Sequence, residues 1–195
     1  WYDYGVYVVM DNGNNNFKLH TLSYNIFEKC ELAKPVTGNG EQLLLFSEKK
    51  KIDTLAYKYI GFVELNRRPS SYNIDSVEFR TSYCYGSCPV FTIKFDKGGH
   101  AEYDAGTYNP KQGNFFTTLQ KDKLETILGL INYLSIRNLN DDYNVSWTDD
   151  QTAWLRIRFA DGTVKEIRDY GLKGTFGLRL IYSIFFDLRG NQEWK

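Results

Sequence analysis

Two of the three cysteines in this chain, Cys84 and Cys88, lie four residues apart around Gly86. Such a pair can form a disulfide, contribute half of a metal site or act as a redox dithiol. Thioredoxin-type sites have two residues between the cysteines and precede a helix, whereas here three intervene and a strand-like run follows Pro89. A zinc site needs two more ligands, which only Cys30, the histidines or carboxylates can supply. We therefore predict a structural disulfide between Cys84 and Cys88, with Cys30 left free.

The two histidines, His20 and His100, limit the acid–base chemistry available near neutral pH, because no other unperturbed side chain titrates there. The sequence contains no Gly-x-Ser-x-Gly elbow, no phosphate-binding glycine loop and no His-Glu-x-x-His motif. We therefore assign no catalytic residue and no cofactor. The alternative hypothesis is an enzyme with a cysteine-centred site, which uses either thiol/disulfide chemistry or Cys84 or Cys88 together with His100.

Four carboxylates surround Trp147 in the sequence, namely Asp141, Asp142, Asp149 and Asp150. They can bind calcium or act as an acid/base pair, but their spacing lacks the Asp-x-Asp-x-Asp-Gly pattern of a calcium loop. A solvated loop is the simpler interpretation, because Asp and Asn favour turns on local grounds. We expect Asp149 to cap backbone amides and an exposed Trp147 to be the best candidate for ligand contact. No metal site is predicted.

Composition limits the partners of the chain. The 195 residues include 24 basic and 24 acidic ones, so the formal net charge of the chain is zero. The chain therefore lacks the excess positive charge that would attract nucleic acid or an anionic membrane surface. Aromatic residues make up 16% of the sequence, which suits half-buried sheet surfaces and also sugar-stacking faces. No apolar run reaches the length of about 18 residues that a membrane-spanning helix needs. The chain begins with Trp1 inside a strand-like run, so we expect an upstream signal peptide, lipoprotein anchor or domain to have been removed.

Residues 1–70 contain short strand-like runs between turns, and we interpret them as a mainly β N-terminal region. The predicted strands are Tyr4–Met10, Phe17–Tyr24, Ile26–Leu32, Gln42–Phe46 and Leu55–Leu65. Turn residues at Asp11–Asn16, a break at Pro35–Gly40 and the lysine run Lys49–Lys51 separate these strands. Arg67–Ser71 is the best candidate for a linker.

Residues 71–195 show the pattern of an α+β domain. Val77, Phe79 and Thr81 alternate with polar residues, and further strands are predicted at Val90–Phe95, His100–Asp104, Asn114–Leu119, Leu155–Phe159 and Thr163–Asp169. We expect a bulge near the Asp161-Gly162 turn. One apolar stripe marks a helix around Leu124–Leu134, and a second marks a helix that Thr175 caps and Gly190 ends. We therefore predict a two-layer sandwich, in which an antiparallel sheet carries both helices on one face.

The sequence from about Val77 to Trp194 resembles a bacterial family described as domain of unknown function 6438. The resemblance rests on Arg80-Thr81, the run Cys84-Tyr85-Gly86-Ser87-Cys88-Pro89-Val90-Phe91, the Gly99…Tyr103 strand, Thr148-Asp149…Thr152 and Trp194. The run around the cysteines is the most specific of these motifs. Asp150-Gln151 replaces a Leu-Pro pair that is typical of the family. The resemblance implies this fold and a cell-envelope or secreted setting, and it implies no reaction.

Together these observations favour a non-catalytic extracytoplasmic module for binding or interaction. Its candidate motif residues are Arg80, Cys84, Tyr85, Gly86, Cys88 and Pro89, and its candidate ligand contacts are Trp147 and Asp149. The expected ligand is a small molecule, a glycan or a protein, while nucleic acid is disfavoured. We expect the protein to be periplasmic, secreted or lipid-anchored.

Overall fold

The computed structural model describes residues 6–11, 14, 16–23, 30–38, 41–48 and 51–195. The chain divides into two compact units, residues 1–65 and residues 66–195. The described part of the first unit consists of strands and turns, whereas the second unit combines strands with two α-helices. The chain is therefore an α+β protein, as the sequence predicts.

The first unit contains a two-stranded hairpin and a four-stranded antiparallel sheet among its described residues. The hairpin pairs β1 (Val6–Asp11) with β2 (Phe17–Ser23), and the sheet has the order β3 (Cys30–Gly38), β4 (Glu41–Glu48), β5 (Lys51–Lys58) and β6 (Gly61–Glu64). Leu44, Phe46, Leu55 and Val63 are buried in this unit. Adjacent apolar residues are buried in β4 (Leu43-Leu44) and in β5 (Leu55-Ala56), whereas buried and half-buried residues alternate along β6.

Two predicted features of the first unit are wrong. The run Leu55–Leu65 is not one strand, because the chain turns at Tyr59, which has a φ of 56°, and returns as β6. Pro35 lies within β3 and not in a break, and β3 is an edge strand, where a residue without an N–H group is tolerated. The predicted strand at residues 26–32 lies mostly outside the described residues, as do residues 4, 5, 49 and 50.

The second unit is built on a seven-stranded sheet. Its strands are β7 (Ile74–Thr81), β8 (Phe91–Asp96), β9 (His100–Ala105), β10 (Gly113–Thr118), β11 (Asp142–Asn144), β12 (Thr152–Phe159) and β13 (Val164–Tyr170). In the order β10-β9-β8-β7-β12-β13-β11, every neighbouring pair is antiparallel except β13 and β11. The sequence does not predict β11, because Asp141 and Asp142 are interpreted as part of a solvated loop and so short a strand has no alternation to detect. A register shift lies between Arg158 and Phe159 where β12 pairs with β7, while β12 pairs regularly with β13.

Alternation along the strands divides this sheet into two faces. The cross-strand partners Tyr103, Ile93, Phe79, Leu155 and Ile167 are fully buried and form one face. The row next to them, Glu102, Lys94, Glu78, Arg156 and Glu166, points the other way and is exposed or half-buried. We call this second side the open face.

Two helices accompany the sheet, α1 (Lys121–Tyr133) and α2 (Phe176–Asn191). Thr175 caps α2 as predicted, since its hydroxyl accepts a hydrogen bond from the amide of Leu178 at 3.2 Å. α2 packs on the buried face, where the ring of Phe185 stacks on Phe79 with centroids 4.8 Å apart. The predicted end at Gly190 falls one residue before the observed end of the helix.

The two helices lie side by side and antiparallel. Near one end, Lys123 Nζ of α1 donates to the carbonyl of Asn191 at 2.8 Å. Near the other end, the side chain of Leu134 lies against Gly177, and a Cβ added there would sit 2.1 Å from it. A glycine at this position therefore allows the helices to approach closely.

The predicted linker belongs to the second unit. Before it, the side-chain amide of Asn66 donates to the carbonyl of Tyr133 at 2.6 Å. After it, the amide of Tyr72 donates to the side chain of Asn132 at 2.6 Å. Residues 67–71 therefore run between two points that are attached to the end of α1.

Candidate binding surface

Both loops that the sequence singles out lie at the same end of the seven-stranded sheet. β7 ends at Thr81, which pairs with Ala153 near the start of β12. The cysteine loop (residues 82–90) and the acidic loop (residues 145–151) therefore leave the sheet side by side. We call these two loops, together with the neighbouring loop of residues 106–112, the loop end.

The cysteine loop is closed by a disulfide. Cys84 and Cys88 are bonded, with their Cα atoms 5.7 Å apart. Gly86 between them has a φ of 152°, a conformation that residues with a side chain rarely adopt. The carbonyl of Pro89 accepts from the hydroxyl of Thr81 at 2.7 Å, which fixes the return of the loop to the sheet.

A buried amide, that of Gln151, joins the cysteine loop to the acidic loop. Its Nε2 donates to the carbonyl of Ser82 at 2.9 Å and to the carbonyl of Pro89 at 2.7 Å. A backbone hydrogen bond of 3.0 Å from Tyr85 to the carbonyl of Asp149 adds a third connection. Sequence reasoning missed Gln151. Its position was nevertheless a signal, because Gln151 stands in place of a residue of the typical Leu-Pro pair, and neither Leu nor Pro carries a side-chain donor.

Asp150 makes the cap that was expected from Asp149. Its carboxylate accepts from the indole Nε1 of Trp147 at 2.8 Å and from the amide of Gln151 at 2.7 Å. Its own amide donates to the hydroxyl of Tyr170 at 3.1 Å. Trp147 is therefore held through its nitrogen while its ring remains partly exposed.

The carboxylates around Trp147 do not converge on one point. Asp142 lies in β11 and binds Arg168 at 2.8 Å, and this hydrogen bond lowers the pKa of Asp142. Asp141 pairs with Lys165. Across the described ranges, no three His, Cys, Asp or Glu side chains are grouped so as to hold a metal ion.

Four exposed aromatic side chains mark the loop end. They are Tyr83 (66% exposed), Tyr85 (90%), Tyr108 (56%) and Trp147 (44%). The loop that carries Tyr108 is attached to the cysteine loop, since the amide of Val90 donates to the carbonyl of Thr107 at 3.0 Å. Sequence reasoning singled out Tyr85 and Trp147 and missed the other two, because composition alone does not separate exposed tyrosines from half-buried ones.

Arg80 lies on the open face beside the loop end. The register of β7 and β12 places it opposite Trp154, and its guanidinium carbon is 4.3 Å from the centroid of that ring. This is a cation–π contact, which orders the long side chain. Trp154 as the partner of Arg80 was not predictable from either residue alone, since 73 positions separate them.

A groove of about 1060 Å³ lies on the open face, toward the end of the sheet opposite to the loop end. Side chains of β7, β8, β9 and β10 line it, among them Glu78, Lys94, Glu102 and Phe116. A further side is formed by Gln192, Glu193 and Lys195. Lys195 exchanges two backbone hydrogen bonds with Phe116, of 2.8 and 3.1 Å. We call this the open-face groove. Sequence reasoning missed it, because it arises from the pairing of four strands with the end of the chain.

His100 lies away from the cysteine loop within the second unit. His100 follows the turn after β8. The carboxylate of Asp96 accepts a hydrogen bond from His100 Nδ1 at 2.9 Å, and this bond lowers the pKa of Asp96. The whole of β8 separates this turn from Cys88, a distance of roughly 20 Å. His20 lies in the first unit against the ring of Tyr57, and burial lowers the pKa of His20. The separation of His100 from Cys88 means that the pair of His100 with Cys84 or Cys88, which the enzyme hypothesis requires, is not assembled.

One carboxylate of the second unit, Asp169 at the end of β13, is fully buried. Its two oxygens accept from the backbone amides of Lys173 at 3.0 Å and Gly174 at 2.8 Å, which fixes the turn before α2. Burial raises the pKa of Asp169. Burial, together with this carboxylate, also raises the pKa of the neighbouring Tyr182 hydroxyl. We interpret Asp169 as an anchor for the start of α2.

Comparisons with known proteins bear out the resemblance drawn from the cysteine run. No curated protein and no solved structure matches the chain significantly. A family model described as a domain of unknown function (DUF6438) matches residues 75–189, which is more than half of the chain. The match includes the whole loop end and excludes the first unit. The chain belongs to the domain of unknown function 6438 family.

Proposed function

We propose that this protein is a non-catalytic extracytoplasmic binding module whose ligand contacts the loop end. The observation that carries the proposal is the set of four exposed aromatic side chains on three neighbouring loops. The acidic loop and the loop of residues 106–112 each hydrogen-bond to the cysteine loop. Isolated exposed aromatics are ordinary, but a group of them on anchored loops at one end of a sheet favours a binding role.

A glycan suits this surface best. The rings of Tyr85 and Trp147 offer flat apolar platforms, and Tyr and Trp also carry polar atoms that face water. The carboxylate of Asp149 and the hydroxyl of Thr148 lie in the same loop as Trp147 and can hydrogen-bond sugar hydroxyls. A small molecule or a protein segment is the competing ligand for the same residues.

The cysteine motif restricts the conformation of the loop that carries Tyr85. The disulfide between Cys84 and Cys88, the turn at Gly86 and the ring of Pro89 restrict the loop that presents Tyr85. A restricted loop loses less conformational entropy when a ligand binds. Arg80, ordered by its contact with Trp154, extends the surface onto the open face.

We infer that the second unit is a two-layer sandwich with α1 and α2 on the buried face. The stacking of Phe185 on Phe79 supports this for α2. For α1 the support comes from its side-by-side contact with α2 and from Leu124, which lies within contact distance of Gly99 at the turn between β8 and β9.

An extracytoplasmic setting is supported by the disulfide, because disulfides persist mainly in oxidising compartments. Within the described part of the chain, no helix has the length and apolarity needed to cross a bilayer. The disulfide is compatible with a periplasmic, secreted or lipid-anchored protein.

Calorimetric titration of the full chain with soluble oligosaccharides tests the proposal, using cello-, chito- and xylo-series under non-reducing conditions. We expect at least one series to bind, and Trp147→Ala to weaken that binding about tenfold, equivalent to about 1.4 kcal/mol. Val164→Ala is the control, because Val164 is 42% exposed at the start of β13, at the end of the same sheet opposite to the loop end. The proposal fails if no series binds, or if both variants keep the wild-type affinity.

A further inference from the structure

We propose that the open-face groove is a second binding site, which takes a short extended segment of a basic polypeptide. The groove lies toward the opposite end of the sheet from the exposed aromatic side chains of the loop end. This proposal is therefore independent of glycan binding at the loop end.

Strand register builds the floor of the groove from one row of side chains. Phe116, Glu102, Lys94 and Glu78 are successive cross-strand partners on β10, β9, β8 and β7. Directly opposed side chains on one face lie about 5 Å apart. The row therefore crosses the groove with an exposed ring at one end and charged groups along the rest.

Acidic groups outnumber basic groups in the groove. The carboxylates of Glu78, Asp96, Glu102 and Glu193 line it, against the ammonium groups of Lys94 and Lys195 and the imidazole of His100, whose Nδ1 lies 2.9 Å from Asp96. Lys94 is bonded to Glu102 at 2.7 Å, whereas Glu78 and Glu193 form no ion pair with any residue that the structure describes. Because the whole chain is net neutral, this acidic excess is local, and it favours a cationic ligand at this place.

Phe116 adds a surface that suits a cation. Its side chain is 58% exposed, and Glu102 is its directly opposed neighbour. An ammonium or guanidinium group over the ring is attracted to the face of the ring and can reach the adjacent carboxylate. β10 pairs with β9 on one side, and the backbone of Phe116 hydrogen-bonds to Lys195 on the other side. The position of the Phe116 backbone is therefore fixed.

The dimensions favour an extended segment over a single small cation. The volume of about 1060 Å³ is at the upper limit of pockets for drug-sized molecules. Glu78 and Glu102 lie on strands separated by β8, roughly 10 Å apart. Side chains two residues apart in an extended chain project to one side about 7 Å apart, and the length of Lys or Arg covers the difference. Gln120 lines the same groove, and its side-chain amide can bind the backbone of the segment.

The test is calorimetric titration of the full chain with an octapeptide of alternating Lys and Ser, with the matching Glu and Ser octapeptide as the charge control. We expect only the lysine peptide to bind, and more weakly at higher salt. The double substitution Glu78→Gln and Glu193→Gln should weaken binding at least about tenfold, and Phe116→Ala by about two- to fivefold. Glu166→Gln, on the same face outside the groove, should leave the affinity unchanged.

The outcomes separate this proposal from the one for the loop end. Trp147→Ala should keep the affinity for the lysine peptide, whatever it does to oligosaccharide binding. The proposal is overturned if the lysine peptide does not bind, if the glutamate peptide binds equally well, or if Glu166→Gln weakens binding as much as the double variant. Unfolding midpoints of all the variants show whether a loss of binding reflects a loss of fold.

Discussion

The two faces of the seven-stranded sheet come from the same strands and serve different purposes. On the buried face, Phe79 is fully enclosed and stacks on Phe185. On the open face, its chain neighbour Arg80 lies over Trp154 and remains exposed. One step along β7 thus separates a side chain that stabilises the fold from one that a ligand can reach.

This contrast predicts which substitutions should change the stability of the fold and which should change ligand binding. Substitutions on the buried face remove apolar contacts that water cannot replace, so they should lower the free energy of unfolding. Substitutions of exposed side chains on the open face and at the loop end, such as Arg80 or Trp147, leave water in place of the side chain. They should therefore change ligand binding with little effect on stability. Four predictions challenge this division.

The largest expected effect is that of Phe79→Ala. Loss of a fully buried ring that contacts α2 should lower the free energy of unfolding by about 3–5 kcal/mol. Arg80→Ala is the matched control and should cost only about 0.5–1 kcal/mol, through the lost cation–π contact. Chemical denaturation measures both, and Phe79→Leu gives a smaller loss of the same sign if the Ala variant does not fold. Similar losses for Phe79→Leu and Arg80→Ala would contradict the division of the faces.

Removing the disulfide should have an intermediate effect that is confined to the loop end. Replacing Cys84 and Cys88 with Ser should lower the free energy of unfolding by about 2 kcal/mol, because the bond closes only a short loop. The fold should persist, and oligosaccharide binding should weaken. Mass spectrometry without reductant checks the bond: alkylation of both thiols in oxidised protein, or a cross-link to Cys30, would refute it.

Asp169 should make stability depend on pH. Burial raises the pKa of Asp169 above its unfolded value, so the folded state holds the proton more tightly. The stability from this group is therefore fully present below the unfolded pKa of about 4 and is lost as pH rises through the folded pKa. The stability advantage of the wild type over Asp169→Asn should shrink as pH rises from 4. Denaturation at several pH values measures it, and a constant or growing advantage would contradict the assignment.

The smallest expected effect is that of an ion pair on the open face. A double-mutant cycle with Lys94→Ala and Glu102→Ala should give a coupling of about 0.2–1 kcal/mol, because both side chains are solvated. Salt should reduce the coupling. A coupling well above this range would mean that the open face contributes to stability as the buried face does.

Features that depend on one stretch of chain could be predicted from the sequence. The alternation of Val77, Phe79 and Thr81, the apolar stripes of both helices and the cap at Thr175 are all local, and the structure contains each of them. The resemblance carried by the cysteine run is confirmed by the family match.

Features that depend on distant pairing could not be predicted. The hydrogen bonds of Gln151 to the cysteine loop and the contact of Arg80 with Trp154 both require the register of β7 against β12. The open-face groove requires four strands and the last residues together. β11 is held by β13 and not by any pattern of its own.

The most direct test of the central claim is amide chemical-shift mapping of the full chain at saturation with the oligosaccharide that binds best. If the loop end is the binding surface, the largest shift changes should fall within residues 82–90, 106–112 and 145–151, with small changes along the strands. Largest changes in the first unit, or in the strands that line the open-face groove, would contradict the account.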